Sequence, residues 1–111
     1  LYGITFGNNK FFSVGNSGKL IISSDNGSTF SNLTSPVTKN IYSVAFGNNI
    51  FVGVGYRTVV VSNNDGSTVT EKENNLTFND VTFGNGVFAA VGDDEKIYTS
   101  TDGDTWTKVY P

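Results

Sequence analysis

One short stretch of sequence occurs three times along the chain, and this repetition limits the folds open to it. Residues 6–9 read FGNN, residues 46–49 read FGNN again, and residues 83–86 read FGNG. The first two copies lie 40 residues apart and the last two lie 37 residues apart. A period of roughly 20–50 residues is typical of proteins built from stacked similar units, because each unit buries a face that it cannot bury alone. We therefore expect three structural units of one kind.

The start of each repeat has the pattern of a β-hairpin. Residues 2–6 alternate between apolar and small or polar side chains, as a half-buried strand does, and the following Gly and Asn residues tolerate the positive φ of a tight turn. The next segment is almost continuously apolar in all three repeats, at 10–14, 50–54 and 87–91. Such a run predicts a second strand that is covered on both faces.

Two further strands complete each predicted unit. The third strands are expected at 20–23, 59–62 and 97–100, after a glycine and a polar turn. The fourth are expected to begin at Thr29, Thr68 and Thr105, and their polar residues are typical of an exposed outer edge. Four antiparallel strands at this period are the pattern of a β-propeller blade. We predict an all-β fold of three four-stranded antiparallel propeller blades, at 1–38, 39–75 and 76–111.

Composition and charge exclude several classes of function. The 111 residues include 13 Gly and no Cys, Met or His, and the net charge is −3 with Arg57 as the single arginine. Scattered cations do not form a phosphate-binding stripe, so we expect no nucleic-acid partner, and no apolar run is long enough to predict insertion into a membrane. Without His or Cys, nucleophile–base pairs of the Ser-His or Cys-His type cannot form. We predict no catalytic residue, cofactor or metal site.

A second repeated motif lies between the third and fourth strands. Residues 23–30 (SSDNGSTF) follow the pattern Ser-x-Asp-x-Gly-x-Thr-aromatic; residues 62–69 (SNNDGSTV) carry Asn in place of Asp, and residues 100–106 (STDGDTW) are one residue shorter. A short Asp or Asn side chain accepts backbone hydrogen bonds within such a turn, so a structural role is predicted in place of catalysis. The predicted turn residues are Ser23, Asp25, Gly27, Thr29, Phe30, Ser62, Asn64, Gly66, Thr68, Ser100, Asp102, Gly103, Thr105 and Trp106.

This motif resembles the Asp-box, or bacterial neuraminidase repeat. The resemblance covers the chain as three repeats, and it implies a propeller shared by sialidases, sortilin-like receptors, photosystem assembly factors and many surface proteins. A sialidase-like site requires an arginine cluster, a tyrosine–carboxylate nucleophile pair and an acid. Since Arg57 is alone, a glycoside-processing enzyme is the least favoured of the implied functions.

The candidate ligand-binding residues lie in the predicted loops between second and third strands. They are Asn16, Ser17, Tyr56, Arg57, Asp93 and Asp94. An aromatic ring beside a planar cation, as in Tyr56-Arg57, can stack on a sugar or bind a carboxylate, although each of these residues also suits an ordinary solvated turn. The leading hypothesis is a non-catalytic binding or scaffold module, with a glycan as candidate ligand, on an exported or cell-surface protein. The alternative is a structural subunit of a surface fibre or filament.

Three blades do not close a ring, because propellers generally need about four to eight. We therefore expect either a homo-oligomer, most simply a dimer with six blades, or further blades in a longer chain. Asn26, Asn32 and Asn75 each begin an Asn-x-Ser/Thr sequon and are candidate glycosylation sites. The acidic residues near Asp93 and Asp102 suit solvated loops better than a cation site, because no defined ligand spacing is present.

Overall fold

The computed structural model describes residues 1–110 and contains three four-stranded antiparallel sheets. Sheet 1 comprises β1 (Gly3–Gly7), β2 (Lys10–Val14), β3 (Leu20–Ser23) and β4 (Ser31–Asn32). Sheet 2 comprises β5 (Ile41–Gly47), β6 (Ile50–Gly55), β7 (Thr58–Ser62) and β8 (Thr70–Glu73). Sheet 3 comprises β9 (Phe78–Gly84), β10 (Val87–Gly92), β11 (Ile97–Ser100) and β12 (Thr107–Tyr110). This architecture confirms the predicted fold class.

In each sheet the strands lie side by side in chain order. The first two strands are joined by the repeated Gly-Asn turn, in which Asn8, Asn48 and Asn85 have φ near +50°. The only helical segment among residues 1–110 is a single 3-10 turn at Asn16–Gly18. Within the same residues no helix is long and apolar enough to cross a membrane.

The predicted start of the fourth strand was wrong by two residues in every repeat. These strands begin at Ser31, Thr70 and Thr107 and not at the threonines two positions earlier. The reason lies in the turn, because the backbone N–H of Thr29 donates to Asp25 at 2.9 Å and is unavailable to the sheet. The equivalent N–H groups of repeats 2 and 3 are engaged in the same way.

Sheet 1 packs face to face on sheet 2 across the first of two apolar cores. Phe12 from sheet 1 stacks on Phe51 from sheet 2 with ring centroids 4.7 Å apart, and both side chains are almost fully buried. Val14 and Leu20 of sheet 1 pack in the same core as Val44 of sheet 2. One face of sheet 1 is therefore covered by the next sheet along the chain.

Sheet 2 packs on sheet 3 across the second core, using its opposite face. Val52, Val54 and Val59 point away from sheet 1 and pack with Phe78 and Phe88 of sheet 3. Because the side chains of a strand alternate between the two faces of its sheet, the apolar run of β6 supplies both cores. The first strands β1, β5 and β9 lie next to one another along the same side of the stack.

Glycines at the ends of β1 and β5 allow the sheets to approach closely. A Cβ atom at Gly7 would overlap the ring of Phe46, and a Cβ atom at Gly47 would overlap the ring of Phe83. Each ring belongs to the following sheet, so the Phe of one repeat lies on the Gly of the repeat before it. This contact joins the two segments of sequence that first revealed the repeat.

The central position of Phe51 yields a stability prediction. Its side chain is 2% exposed and contacts rings from both Phe12 and Phe46, so we expect Phe51→Ala to lower the free energy of unfolding by about 3–5 kcal/mol. The milder Phe51→Leu should cost only about 1 kcal/mol. Urea denaturation followed by circular dichroism measures both.

Tyr56→Ala, at a ring that is 50% exposed, is the matched control and should remain within about 1 kcal/mol of the wild type. Equal losses for Phe51→Ala and Tyr56→Ala would contradict this packing.

Candidate functional site

The Ser-x-Asp-x-Gly-x-Thr turn of sheet 1 is held by its own side chains. The Ser23 hydroxyl donates to Asp25 Oδ1 at 2.8 Å and accepts the backbone N–H of Gly27 at 2.9 Å. Asp25 in turn accepts the backbone N–H of Thr29 with Oδ1 and the Thr29 hydroxyl with Oδ2. Both carboxylate oxygens are therefore occupied by groups of the turn, which explains why this sequence folds locally into a closed loop.

The other two turns repeat this network with different acceptors. In sheet 2 the Ser62 hydroxyl donates to Asn64 Oδ1 at 3.0 Å, and the same oxygen accepts the backbone N–H of Thr68 at 2.9 Å. In sheet 3 Asp102 Oδ1 accepts from Ser100 at 3.1 Å and from the backbone N–H groups of Asp104 and Thr105. An amide oxygen can perform the same role as a carboxylate oxygen because each contact requires only an acceptor.

The hydrogen bonds of these turns favour the charged form of the carboxylates. The Thr29 hydroxyl is the main reason that the pKa of Asp25 falls from 3.8 to about 2, with the Thr29 backbone N–H and Ser23 adding to the shift. The backbone N–H groups of Asp104 and Thr105 lower the pKa of Asp102 in the same direction. Neither group therefore has the raised pKa that a general acid requires at neutral pH.

The residue that ends each turn differs in its packing. Val69 packs against the first core, and Trp106 packs against the second core while its indole N–H donates to the Gly103 carbonyl oxygen at 2.9 Å. Phe30 of sheet 1 is exposed. The aromatic position is thus covered where a preceding sheet lies beside it and open where there is none.

At the opposite end of the strands, four of the six candidate ligand-binding residues come together. Tyr56, Arg57, Asp93 and Asp94 line one open hollow of about 350 Å³ between the loops of sheets 2 and 3. Asn16 and Ser17 do not line it. They belong to the loop of sheet 1, where the Ser17 backbone N–H donates to Asn40 Oδ1 at 2.9 Å.

Three residues that were not predicted to bind a ligand, although they form the sequon at Asn75, complete the wall of this hollow. Asn75, Leu76 and Thr77 lie in the connection from β8 to β9. That connection follows a fourth strand and therefore returns to the same end of the sheets as the loops between second and third strands. Only the path of the chain could have predicted that these residues line the hollow, because their residue types are ordinary for a loop.

The backbone of Arg57 is fixed on both sides, whereas its side chain lines the hollow. Its φ is +51°, its N–H donates to Thr77 Oγ1 at 3.3 Å, and its carbonyl oxygen accepts from Lys39 Nζ at 3.3 Å. Lys39 also forms a partly buried ion pair with Glu71 at 3.2 Å. The backbone of this loop is thereby held by contacts from both neighbouring segments.

On the other wall the carboxylates are held by neighbours. Asp94 accepts the hydroxyl of Tyr98 at 2.8 Å, and this bond is the main cause that lowers the pKa of Asp94 and raises the pKa of Tyr98. Asp93 accepts from Asn79 Nδ2 at 2.9 Å. The hollow therefore combines an exposed aromatic ring, a guanidinium group and two oriented carboxylates.

The remaining candidate residues are accessible. Asn26, Asn32 and Asn75 are all exposed, and their glycosylation stays a prediction. Among residues 1–110 no three Asp, Glu, His or Cys side chains converge as ligands for a metal ion.

Comparison with known proteins shows the fold. No protein-family model matches the chain, and no curated protein matches it either. Among solved structures, it is similar to YCF48 from Cyanidioschyzon merolae, with 19% identity over 97% of this chain and a TM-score of 0.82. It is similar to a YCF48 bound to D1 peptide, with 19% identity over 96% of this chain and a TM-score of 0.81. It is also similar to the WD40 β-propeller domain of Doa1, with 13% identity over 96% of this chain and a TM-score of 0.67.

These similarities identify the three sheets as β-propeller blades. The chain spans 36%, 40% and 38% of the length of the three structures, in the same order. It therefore corresponds to part of a propeller and not to a closed ring.

The low pKa of Asp25 predicts how the stability of the protein depends on pH. Since the folded-state pKa of about 2 lies below the ordinary value of 3.8, the stabilisation is present above pH 4 and is lost as the pH falls from about 4 to about 2. Asp25→Asn keeps the acceptor for the Thr29 N–H but removes the acidic group, so its stability should change less over this range. Urea midpoints between pH 2 and pH 5 measure the difference.

The matched control for this experiment is Glu95→Gln, which removes a carboxylate from an exposed loop at the opposite end of the strands. It should retain the acid sensitivity of the wild type between pH 4 and pH 2. A carboxyl titration of Asp25 followed by NMR should give a midpoint near pH 2; a midpoint near 3.8 would contradict the network.

Proposed function

We propose that this chain is a non-catalytic binding or scaffold module of the β-propeller kind, and that the hollow beside Tyr56 and Arg57 is its ligand site. The observation that carries the proposal is the convergence of Tyr56, Arg57, Asp93 and Asp94 from two separate loops on one surface. Loops that are fixed by a rigid sheet framework are the usual location of binding residues.

The chemistry of the hollow favours a carbohydrate ligand. The ring of Tyr56 is half exposed and offers an apolar surface on which the C–H face of a sugar can stack. Arg57 supplies hydrogen-bond donors, and Asp93 and Asp94 supply acceptors for hydroxyl groups. A peptide is the competing ligand class, since one YCF48 structure is a complex with D1 peptide.

The absence of enzymatic activity is part of the same proposal. The sequence contains no His or Cys, and the carboxylates of Asp25 and Asp102 accept hydrogen bonds from their own turns. We infer that the turns, which resemble Asp-boxes, are structural. We also propose that the protein is exported or located at the cell surface, where the exposed sequon at Asn32, which does not line the hollow, would be accessible to glycosylation. Peptide mapping by mass spectrometry of protein from its source would detect such glycans.

Association through further blades completes the proposal. The outer faces of sheets 1 and 3 carry exposed apolar side chains, including Ile4 and Val91. Surfaces of this kind are covered by partners in stable proteins. Blades from a second copy or from a longer chain would provide the cover, and an open series of such contacts would give the fibre that we consider as the alternative function.

Substitutions at the hollow test the proposed ligand. On glycan and peptide arrays, we expect wild-type protein to bind glycans, and Tyr56→Ala and Arg57→Ala to bind about 5- to 150-fold more weakly, because each loses a principal contact worth roughly 1–3 kcal/mol. Lys108→Ala, which removes an exposed cation from an outer strand, is the matched control and should bind as the wild type does. Binding to peptides alone would overturn the carbohydrate assignment, and equal binding by all variants would overturn the site.

A further inference from the structure

The exposed face of sheet 1 has the same pattern of residues as the face of sheet 2 that is buried against sheet 1. The positions of Val44, Phe46, Phe51 and Val60 form the face of sheet 2 that covers sheet 1. The equivalent positions in sheet 1, taken from the strand registers, are Ile4, Phe6, Phe11 and Ile21. Ile4 is 59% exposed and Phe6 is 53% exposed. Sheet 1 therefore exposes an apolar face on which no sheet is packed.

The exposed face of sheet 3 is the other half of the same interface. In sheet 2, the side chains that contact sheet 3 include Val52, Val54 and Val61. Their equivalents in sheet 3, again by strand register, are Ala89, Val91 and Thr99, and all are at least partly exposed. One chain thus carries both halves of a sheet-to-sheet contact, on opposite ends of its stack.

The glycines show the same pairing. In each buried contact between sheets, the glycine that ends a first strand is the seat, meaning the position on which a phenylalanine ring of the following sheet lies. Gly7 and Gly47 are buried, and each lies beneath a phenylalanine ring of the following sheet. Gly84, the third member of the set, is exposed, and a Cβ atom added there would have no neighbour within 4 Å. The unused seat at Gly84 matches the unused ring of Phe6.

A second set of glycines agrees from the other side. A Cβ atom at Gly66 would meet Ile22 and Phe12 of sheet 1, and one at Gly103 would meet Val52 and Val61 of sheet 2. The equivalent Gly27 is exposed, and a Cβ atom added there would meet only Phe11 of its own sheet. Gly103 lies beside Val52 and Val61, and the equivalents of these two residues on the exposed face of sheet 3 are Ala89 and Thr99. Gly27 therefore lacks the neighbours that Ala89 and Thr99 of a further sheet would supply.

Asparagine side chains at the hairpin tips give this contact a polar component. Asn8 Nδ2 donates to Asp65 Oδ1 in the turn of the following sheet at 2.9 Å. Asn48 Nδ2 likewise donates to the carbonyl oxygens of Gly86 and Thr101 at 3.0 Å each. Asn85 occupies the third equivalent position, and by the same geometry it would reach the turn at 24–27 of a further sheet.

We propose that a second copy of this chain docks head to tail, with its sheet 1 on sheet 3 of the first copy, so that Phe6 lies on Gly84 and Asn85 donates to the turn containing Asn26. This inference does not rest on the ligand site, which lies at the other end of the strands. Two copies that make this contact twice place six sheets around one axis, within the range of about four to eight that closes a propeller.

Two variants test the proposal on the 111-residue chain. Sedimentation velocity and native mass spectrometry should show a dimer for the wild type at micromolar concentration. Gly84→Val fills the seat and Phe6→Ser removes the ring, so each should raise the Kd of the dimer by at least about tenfold. Neither site is buried within one chain, so circular dichroism should show that both variants remain folded. Tyr56→Ser is the control and should dimerise as the wild type does.

The outcomes separate this geometry from its alternatives. A wild type that is still monomeric at roughly 100 μM would overturn the proposal, because specific dimers form below about that concentration. Loss of the dimer in Phe6→Ser but not in Gly84→Val would also overturn it, because two copies would then be joined through sheet 1 on both sides. Polymers in place of dimers would retain the head-to-tail contact but contradict closure by two copies.

Cross-linking tests the register directly, since the chain contains no cysteine. An equimolar mixture of Asn85→Cys and Asn26→Cys proteins should give a dimer with a short bis-maleimide reagent. Asn85→Cys protein alone should not, because the two copies of residue 85 lie at separate interfaces. A cross-link between two chains of Asn85→Cys would overturn the head-to-tail arrangement.

Discussion

The contact between a phenylalanine ring and the glycine of the preceding sheet determines how this molecule is assembled. Phe46 lies on Gly7, while its neighbour Gly47 receives Phe83. The Phe-Gly pair is therefore both the projecting group and the seat of the same contact. Because one dipeptide provides both functions, each repeat can pack on the repeat before it and on the repeat after it, and an open stack ends with one unused glycine and one unused ring.

Each turn after a third strand is closed by hydrogen bonds among its own residues. In all three, a serine hydroxyl and an Asp or Asn oxygen accept the backbone N–H groups that the turn leaves without partners. This local solution permits the exchange of Asp25 for Asn64 between repeats. It also delays the fourth strand, since the N–H of the turn threonine is already engaged. In the first turn these contacts engage both carboxylate oxygens of Asp25.

Much of the fold followed from the sequence because its signals are local and occur three times. The first three strands of each unit were predicted from runs such as those around Phe51, and the hairpin turns from Gly and Asn. The direction of packing was not predictable, since β6 is apolar on both faces and its alternation cannot show which neighbour covers Phe51 and which covers Val52. The candidate site was predicted in part. Tyr56 and Asp93 carry distinctive chemistry, whereas Asn75 and Leu76 enter the hollow only through the path of the chain after β8.

The three repeats agree where they hold the framework and differ where they form loops. Serine begins every turn and Phe-Gly begins every hairpin, but the loops between second and third strands contain a 3-10 turn at Asn16–Gly18, the pair Tyr56-Arg57, and an acidic segment at 93–95. Each of these loops nevertheless contains one residue other than glycine with positive φ, at Ser17, Arg57 and Glu95. One left-handed residue is thus common to the three loops, while their lengths and side chains differ. A framework that fixes its loops through the sheets can present a different surface at each junction. At the junction of sheets 2 and 3, Tyr56 and Asp93 line the hollow that we propose as the ligand site.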